Sequence, residues 1–109
     1  MSSIKIDKTN FMKIVESEKL PIVIDFWAAW CGPCQMLGPV YESASEDLKG
    51  KAILAKVNVE EEMELAQSFE VRGIPTLVII KEKKVIGRFS GYMPKETLKA
   101  KITEIIEKQ

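Results

Sequence analysis

The segment Ile22-Val23-Ile24-Asp25-Phe26-Trp27, opened by Pro21, constrains the fold of this chain more than any other stretch. It is apolar at every position but one, and so reads as a strand covered on both faces rather than one with a wet side. Such a strand sits inside a sheet with helices packed above and below it.

Around it the pattern alternates strands and helices along the whole length, with no internal repeat, low-complexity tract or linker-like run of Gly, Ser and Pro. Ile4 and Ile6 predict a short first strand, and Asp7, Thr9 or Asn10 caps a helix carrying Phe11, Ile14 and Val15. Pro33 to about Leu48 is predicted helical, with Met36, Leu37, Val40 and Tyr41 inward, a kink at Pro39 and a stop at Gly50. Ala52 to Val59 is a second apolar strand. A short helix follows from about Glu61 to Phe69, and its Glu60-Glu61-Glu62 opening suits the positive end of the helix dipole. Thr76 to Lys81 and Lys84 to Ser90 predict a hairpin around Glu82-Lys83, although that turn lacks the usual Asn-Gly. The last helix starts near Pro94, with Met93 a poor cap and Leu98, Ile102, Ile105 and Ile106 on one stripe. Parallel crossovers first and an antiparallel hairpin late predict a mixed sheet sandwiched between helices.

At 109 residues the chain accommodates one domain, spanning 1–109, that can bury a core without a disulfide or metal staple. Sixteen Lys and Arg balance sixteen Asp and Glu, which leaves no basic footprint for nucleic acid and no polybasic anchor for a membrane. The absence of histidine removes Ser–His and Cys–His hydrolytic chemistry and the usual zinc ligands. The amino terminus lacks the apolar core of a secretory signal, and no apolar stretch approaches the roughly 18 residues of a membrane span. The expected compartment is the cytoplasm, with a monomer as the default state. Two cysteines in that reducing setting point to a metal site or to redox chemistry.

The cysteines lie in Trp30-Cys31-Gly32-Pro33-Cys34, between the apolar strand and a helix. Three apart at a helix start, they share one face and come close enough for a reversible disulfide. Cys31 sits at the first turn, where unpaired backbone N–H groups and the dipole favour an anion. It is therefore expected to be the exposed, nucleophilic thiolate, with Cys34 shielded one turn inside as the resolving thiol. Pro33 preorganises the turn at a position the helix tolerates. A closed zinc site wants four ligands, and only a dimer sharing these cysteines around zinc or an iron–sulfur cluster would complete one; redox use is favoured, with no metal.

Asp25 is the second anomaly, a carboxyl in a strand whose faces should both be buried. Desolvation raises its proton affinity toward neutrality, and Lys56 on the neighbouring strand is its candidate charge partner. Taken alone, such an Asp fits a buried ion pair or a hydrogen-bonded strand residue. Six residues ahead of a redox pair it reads as a proton acceptor for Cys34. Arg72-Gly73-Ile74-Pro75-Thr76 is the third element: alone a turn into a strand, or, with a cis bond before Pro75, an Ile74 backbone free to pair with an extended peptide.

The run Val23-Ile24-Asp25-Phe26-Trp27-Ala28-Ala29-Trp30-Cys31-Gly32-Pro33-Cys34 resembles the active-site region of the thioredoxin family, and Gly73-Ile74-Pro75-Thr76, Lys56 and Gly91 fall where that pattern expects them. The resemblance spans nearly the whole chain. It implies the α/β thioredoxin fold, a central five-stranded mixed sheet flanked by four helices, with a cis bond before Pro75 facing the cysteines. It implies protein disulfide reduction through the redox-active Cys31–Cys34 disulfide with no other cofactor: Cys31 attacks the substrate, Cys34 resolves the mixed disulfide, and Asp25, assisted by Lys56, takes the Cys34 proton. Gly32, Pro33 and Pro75 tune the site. Trp30, with Gly32, Gly73, Ile74, Gly91 and Tyr92, forms a docking surface. The implied partners are oxidised, disulfide-bearing proteins and a thioredoxin reductase. Gln35 departs from the pattern, replacing a frequent basic residue.

Two other readings keep the fold. An oxidase or isomerase is disfavoured by Gly32-Pro33, since oxidising relatives usually carry a histidine there. A binding module that serves another enzyme is disfavoured, as a purely structural role, by the presence of Cys31, Cys34 and Asp25 together.

Overall fold

The computed structural model of the protein describes residues 3–109. Met1 and Ser2, part of the segment read as lacking a secretory signal, lie outside the described residues. Along the chain come β1 (Ile4–Lys5), α1 (Phe11–Ser17), β2 (Ile22–Trp27), α2 (Gly32–Asp47) and β3 (Ile53–Asn58). They are followed by α3 (Met63–Ser68), β4 (Thr76–Lys81), β5 (Lys84–Ser90) and α4 (Lys95–Glu107). The sheet order is β1-β3-β2-β4-β5. β3 runs parallel to both β1 and β2, whereas β4 is antiparallel to β2 and β5 antiparallel to β4. The sheet is mixed, as the strand and helix pattern predicts, and its five strands and four helices are those the resemblance implies.

β2 takes the central place because its side chains are buried on both faces, Ile22 through Phe26. Alternation sends Ile22, Ile24 and Phe26 to one side, where they pack with Ala55, Val57, Val78 and Ile80 against Val15 of α1 and Ala66 of α3. Val23 faces the other side, with Leu54, Leu77 and Ile79 against Leu37, Tyr41 and Ala44 of α2 and Leu98 and Ile102 of α4. Each large apolar side chain so buried contributes about 1.5–3 kcal/mol, so truncating Phe26 to Ala costs about 3–5 kcal/mol. Asp25, two residues after Val23, falls on the α2 side of this layer.

The inward stripe of α2 is Cys34, Leu37, Tyr41 and Ala44, a 3-4-3 spacing. Met36, expected inward, is 59% exposed, because it lies off that stripe by one residue. Tyr41 is fully buried and its hydroxyl donates toward Val23 O (3.0 Å) and Ala55 O (2.8 Å), which fastens α2 to both central strands. At the far end of the helix, Asp47 pairs with Lys95 (3.1 Å) and Lys99 (3.0 Å) of α4.

Local chemistry sets the other ends. Ahead of α1, Asp7 Oδ1 accepts the N–H groups of Thr9 (2.8 Å) and Asn10 (3.1 Å), while Asn10 Oδ1 accepts that of Asp7 (2.8 Å). The helix thus starts from an Asx turn rather than a capping bond at Asn10. α3 begins at Met63, later than expected, because Asn58 Oδ1 holds the N–H groups of Glu60 (2.9 Å) and Glu61 (3.3 Å) in a turn. In the β4–β5 hairpin Glu82 (φ 51°) and Lys83 (φ 70°) both adopt the left-handed conformation that a two-residue turn requires, without glycine. No helix among the described residues is long and apolar enough to cross a membrane.

Candidate active site

Cys31 occupies the N-cap of α2, with Pro33 in the first turn, where a missing N–H costs nothing. It is disulfide-bonded to Cys34, and the Cys34 N–H donates to Cys31 Sγ at 3.2 Å. The sequence led us to expect an exposed Cys31 beside a shielded Cys34, yet the two are 5% and 4% exposed. Ala28 packs with the pair, Trp27, Val59 and Ile74 close around it, and Ile74 O lies 3.7 Å from Cys31 Sγ. Part of that cover, Ile74, comes from a segment more than forty residues away, invisible to the local pattern. Trp30, by contrast, is 68% exposed, and Gly32 and Pro33 are exposed beside it.

The Ile74–Pro75 peptide is cis. The Gly91 N–H donates to Pro75 O at 3.0 Å with Gly91 at φ 97°, a conformation that selects glycine. The Thr76 hydroxyl bonds Gly73 O and shares a 3.2 Å contact with Ser90 Oγ. Of these residues half-buried Ile74 packs against the disulfide, Gly91 is tied to Pro75, and Trp30 and Tyr92 are exposed.

Asp25 is 1% exposed, and its Oδ1 has no hydrogen-bond partner. Burial pushes its carboxyl up to about 7; the Lys56 ammonium pulls it down and Glu42 pushes it further up. Lys56 stands opposite Asp25 in the β2–β3 ladder, where the sequence placed it. No ion pair joins them among the described residues: the ammonium lies 4.8 Å over the Trp27 ring. The charge partner is in register but turned aside. Burial drives the Tyr41 phenol well above its ordinary value, so it remains a neutral donor at the strands beside Asp25.

Three contributions escaped sequence reading. Gln35 Nε2 donates to Ala29 O at 2.8 Å, tying the loop before Cys31 to the first turn of α2. Tyr41 carries a buried polar bond from a position that read only as core. Trp27 holds Lys56. The signal for the last was present in the register, since Asp25↔Lys56 and Trp27↔Asn58 are successive same-face rungs and Lys56 and Trp27 are diagonal neighbours. Among the described residues no group of three or more His, Cys, Asp or Glu is arranged to hold a metal ion.

The sequence model described as Thioredoxin matches residues 2–104. A protein named Thioredoxin from Chlorobaculum thiosulfatiphilum is 47% identical over 100 residues, 92% of this chain and 92% of its own. Thioredoxin 2 of Chlorobaculum tepidum is 49% identical over 98 residues, 89% of each chain. A Thioredoxin from Staphylococcus saprophyticus is 40% identical over 108 residues, 99% of this chain and 98% of its own.

Proposed function

Because the chain belongs to the thioredoxin family, we propose that it is a general reductant of protein disulfides in which Cys31 is the nucleophile, Cys34 the resolving thiol and Asp25 the proton acceptor. Proteins of this family are protein-disulfide oxidoreductases that act by thiol–disulfide exchange through their own cysteine pair, without a cofactor. Disulfide substrates and a reductase are their partners in general.

The observation that carries the assignment of roles is the N–H of Cys34 aimed at Cys31 Sγ at the start of α2. An oriented donor and the positive end of a helix favour negative charge on Cys31 once the disulfide is reduced. The Cys31 thiolate attacks one sulfur of a substrate disulfide, forming a mixed disulfide and expelling the first substrate thiolate. Cys34 then loses its proton and attacks Cys31 Sγ, which forms the Cys31–Cys34 disulfide and releases the second thiolate. The substrate gains two electrons and the protein gives up two.

Asp25 suits the proton's destination: it lies on the α2 side of the sheet, its Oδ1 has no hydrogen-bond partner, and burial pushes its carboxyl up to about 7. Lys56 assists by moderating that affinity. An extended substrate backbone pairs with Ile74 while Trp30, Gly32, Gly73, Gly91 and Tyr92 supply a mostly apolar rim; main-chain pairing carries little side-chain information, which makes selectivity broad. Gly32, Pro33 and Pro75 hold the geometry of the pair. Residues 1–109 act as a single thioredoxin domain, a monomer in the cytoplasm recycled by a thioredoxin reductase.

The test is to mix reduced Cys34→Ser with an insulin-like disulfide protein and digest the products after thiol blocking. A stable mixed disulfide through Cys31 is expected. Recovery of no adduct, or formation of one as fast by Cys31→Ser through Cys34, contradicts the assignment.

A further inference from the structure

Neighbouring strands lie about 4.8 Å apart, so Lys56, opposite Asp25, has more than enough stem to place its ammonium on that carboxyl. It does not. The ammonium lies 4.8 Å over the Trp27 ring, on a cleft of about 420 Å³ lined by Ser3, Lys5, Trp27, Lys56, Asn58 and Glu61. Two effects favour this placement. The indole face attracts a cation, and an ammonium at an open cleft keeps water that it would lose beside a buried carboxyl. Lys5, in register with Lys56 on β1, takes Glu61 at 3.5 Å.

The groups facing Asp25 from the elements around it are few. β3 contributes Lys56, α2 contributes Glu42 and the neutral Tyr41 phenol, and β4 presents apolar Leu77 in register. Glu42 itself accepts from the Ser3 N–H at 3.1 Å and from the Ser3 hydroxyl. Among these, Lys56 alone is cationic. The ring that holds it also packs against Ala28, Cys31 and Cys34, so one side chain touches both the redox pair and the cation facing Asp25.

We propose that Trp27 is a positioning residue: by holding the Lys56 ammonium on its indole face it keeps the Asp25 carboxyl free of an ion pair. The consequence for the reaction rests on Asp25 being the acceptor of the Cys34 proton. The positional claim does not, and its test needs no turnover.

The measurement is the titration of the Asp25 carboxyl by carbon-13 NMR in the disulfide form, for the native protein, Trp27→Leu, Trp27→Phe, Lys56→Met and the double variant Trp27→Leu/Lys56→Met. Removing the aromatic face frees Lys56 to reach the carboxylate, so Trp27→Leu lowers the proton affinity of Asp25 at least threefold. Trp27→Phe, which keeps a ring, retains most of the native affinity. Lys56→Met raises the affinity, and adding Trp27→Leu in that background produces no further fall. An unchanged or raised affinity in Trp27→Leu overturns the proposal, as does an equal fall with and without Lys56, because Trp27 then acts through packing alone.

A second measurement uses the native protein and does not depend on any variant folding. The Lys56 ε-protons lie over an indole and should be shifted upfield by its ring current. Ordinary lysine positions for those protons overturn the proposal. Failure of Asp25 as proton acceptor gives a separate result, an unaltered rate of mixed-disulfide resolution in Asp25→Asn, and leaves the positional claim standing.

Discussion

The backbone N–H of Cys34 donates to Cys31 Sγ at 3.2 Å across the first turn of α2. The two residues are almost equally covered, so what separates them is electrostatic: Cys31 receives the donor at the helix start, and Cys34 lies on the inward stripe. After reduction, iodoacetamide should therefore modify Cys31 well before Cys34. Mass mapping of partly alkylated protein checks this, and preferential labelling of Cys34 contradicts it.

Asp25 links proton transfer to stability. Burial pushes its carboxyl up to about 7 in the folded protein, against about 3.9 in an unfolded chain. The folded state therefore binds this proton more tightly, and the stability tied to it is fully present below about pH 4 and is lost as pH rises through about 7. A difference of this size corresponds to about 4 kcal/mol. Asp25→Asn, neutral at every pH, should unfold at higher urea than the native protein at pH 8 and at nearly the same urea at pH 4. Equal midpoints at both pH values contradict the burial argument.

Much of this site was legible because it is local. Cys31 and Cys34 share a turn, Pro33 marks the helix start, and the unbroken apolar run of β2 made Asp25 conspicuous. The β4–β5 boundaries followed from two runs and a two-residue gap, even though Glu82 and Lys83 are unusual in that turn. What escaped is set by packing between distant segments. Part of the cover on Cys31 comes from distant Ile74, and a helical stripe that takes Met36 inward can be drawn one residue off until Cys34, Leu37 and Tyr41 are seen to share it. The Lys56 ammonium could be assigned to Asp25 from register, but its choice of Trp27 depends on side-chain conformation, which the pattern does not encode.

Trp30, next to Cys31 in the chain, is a large aromatic side chain that is 68% exposed. Trp30→Ala should reduce kcat/KM for a protein disulfide about tenfold, the cost of losing an aromatic anchor at an interface. A small disulfide, which makes few contacts with the rim, should be affected less than twofold. Equal losses for both substrates would place Trp30 in the chemistry instead of in docking.

Asp47 bridges Lys95 and Lys99 and so joins the end of α2 to the start of α4. Hydrogen bonds from Lys99 and Lys95 hold its carboxyl below the ordinary range. A lowered value means stability that is present above about pH 4, the unfolded carboxyl range, and lost as pH falls through the folded value. Asp47→Asn should narrow the stability difference between pH 6 and pH 3, and high salt should reduce the effect because the pairs are at the surface. An unchanged pH dependence would remove this link from the account.

The central claim, that the Cys31–Cys34 pair works as a reductant, is tested most directly by its reduction potential. The protein is equilibrated in defined dithiol/disulfide buffers, with Trp27 and Trp30 fluorescence as the reading and thiol trapping as the check. A value of about −270 mV, the figure characteristic of thioredoxin itself, is expected. A value between about −180 and −120 mV would place the pair among oxidants and isomerases and contradict the direction of electron flow proposed here.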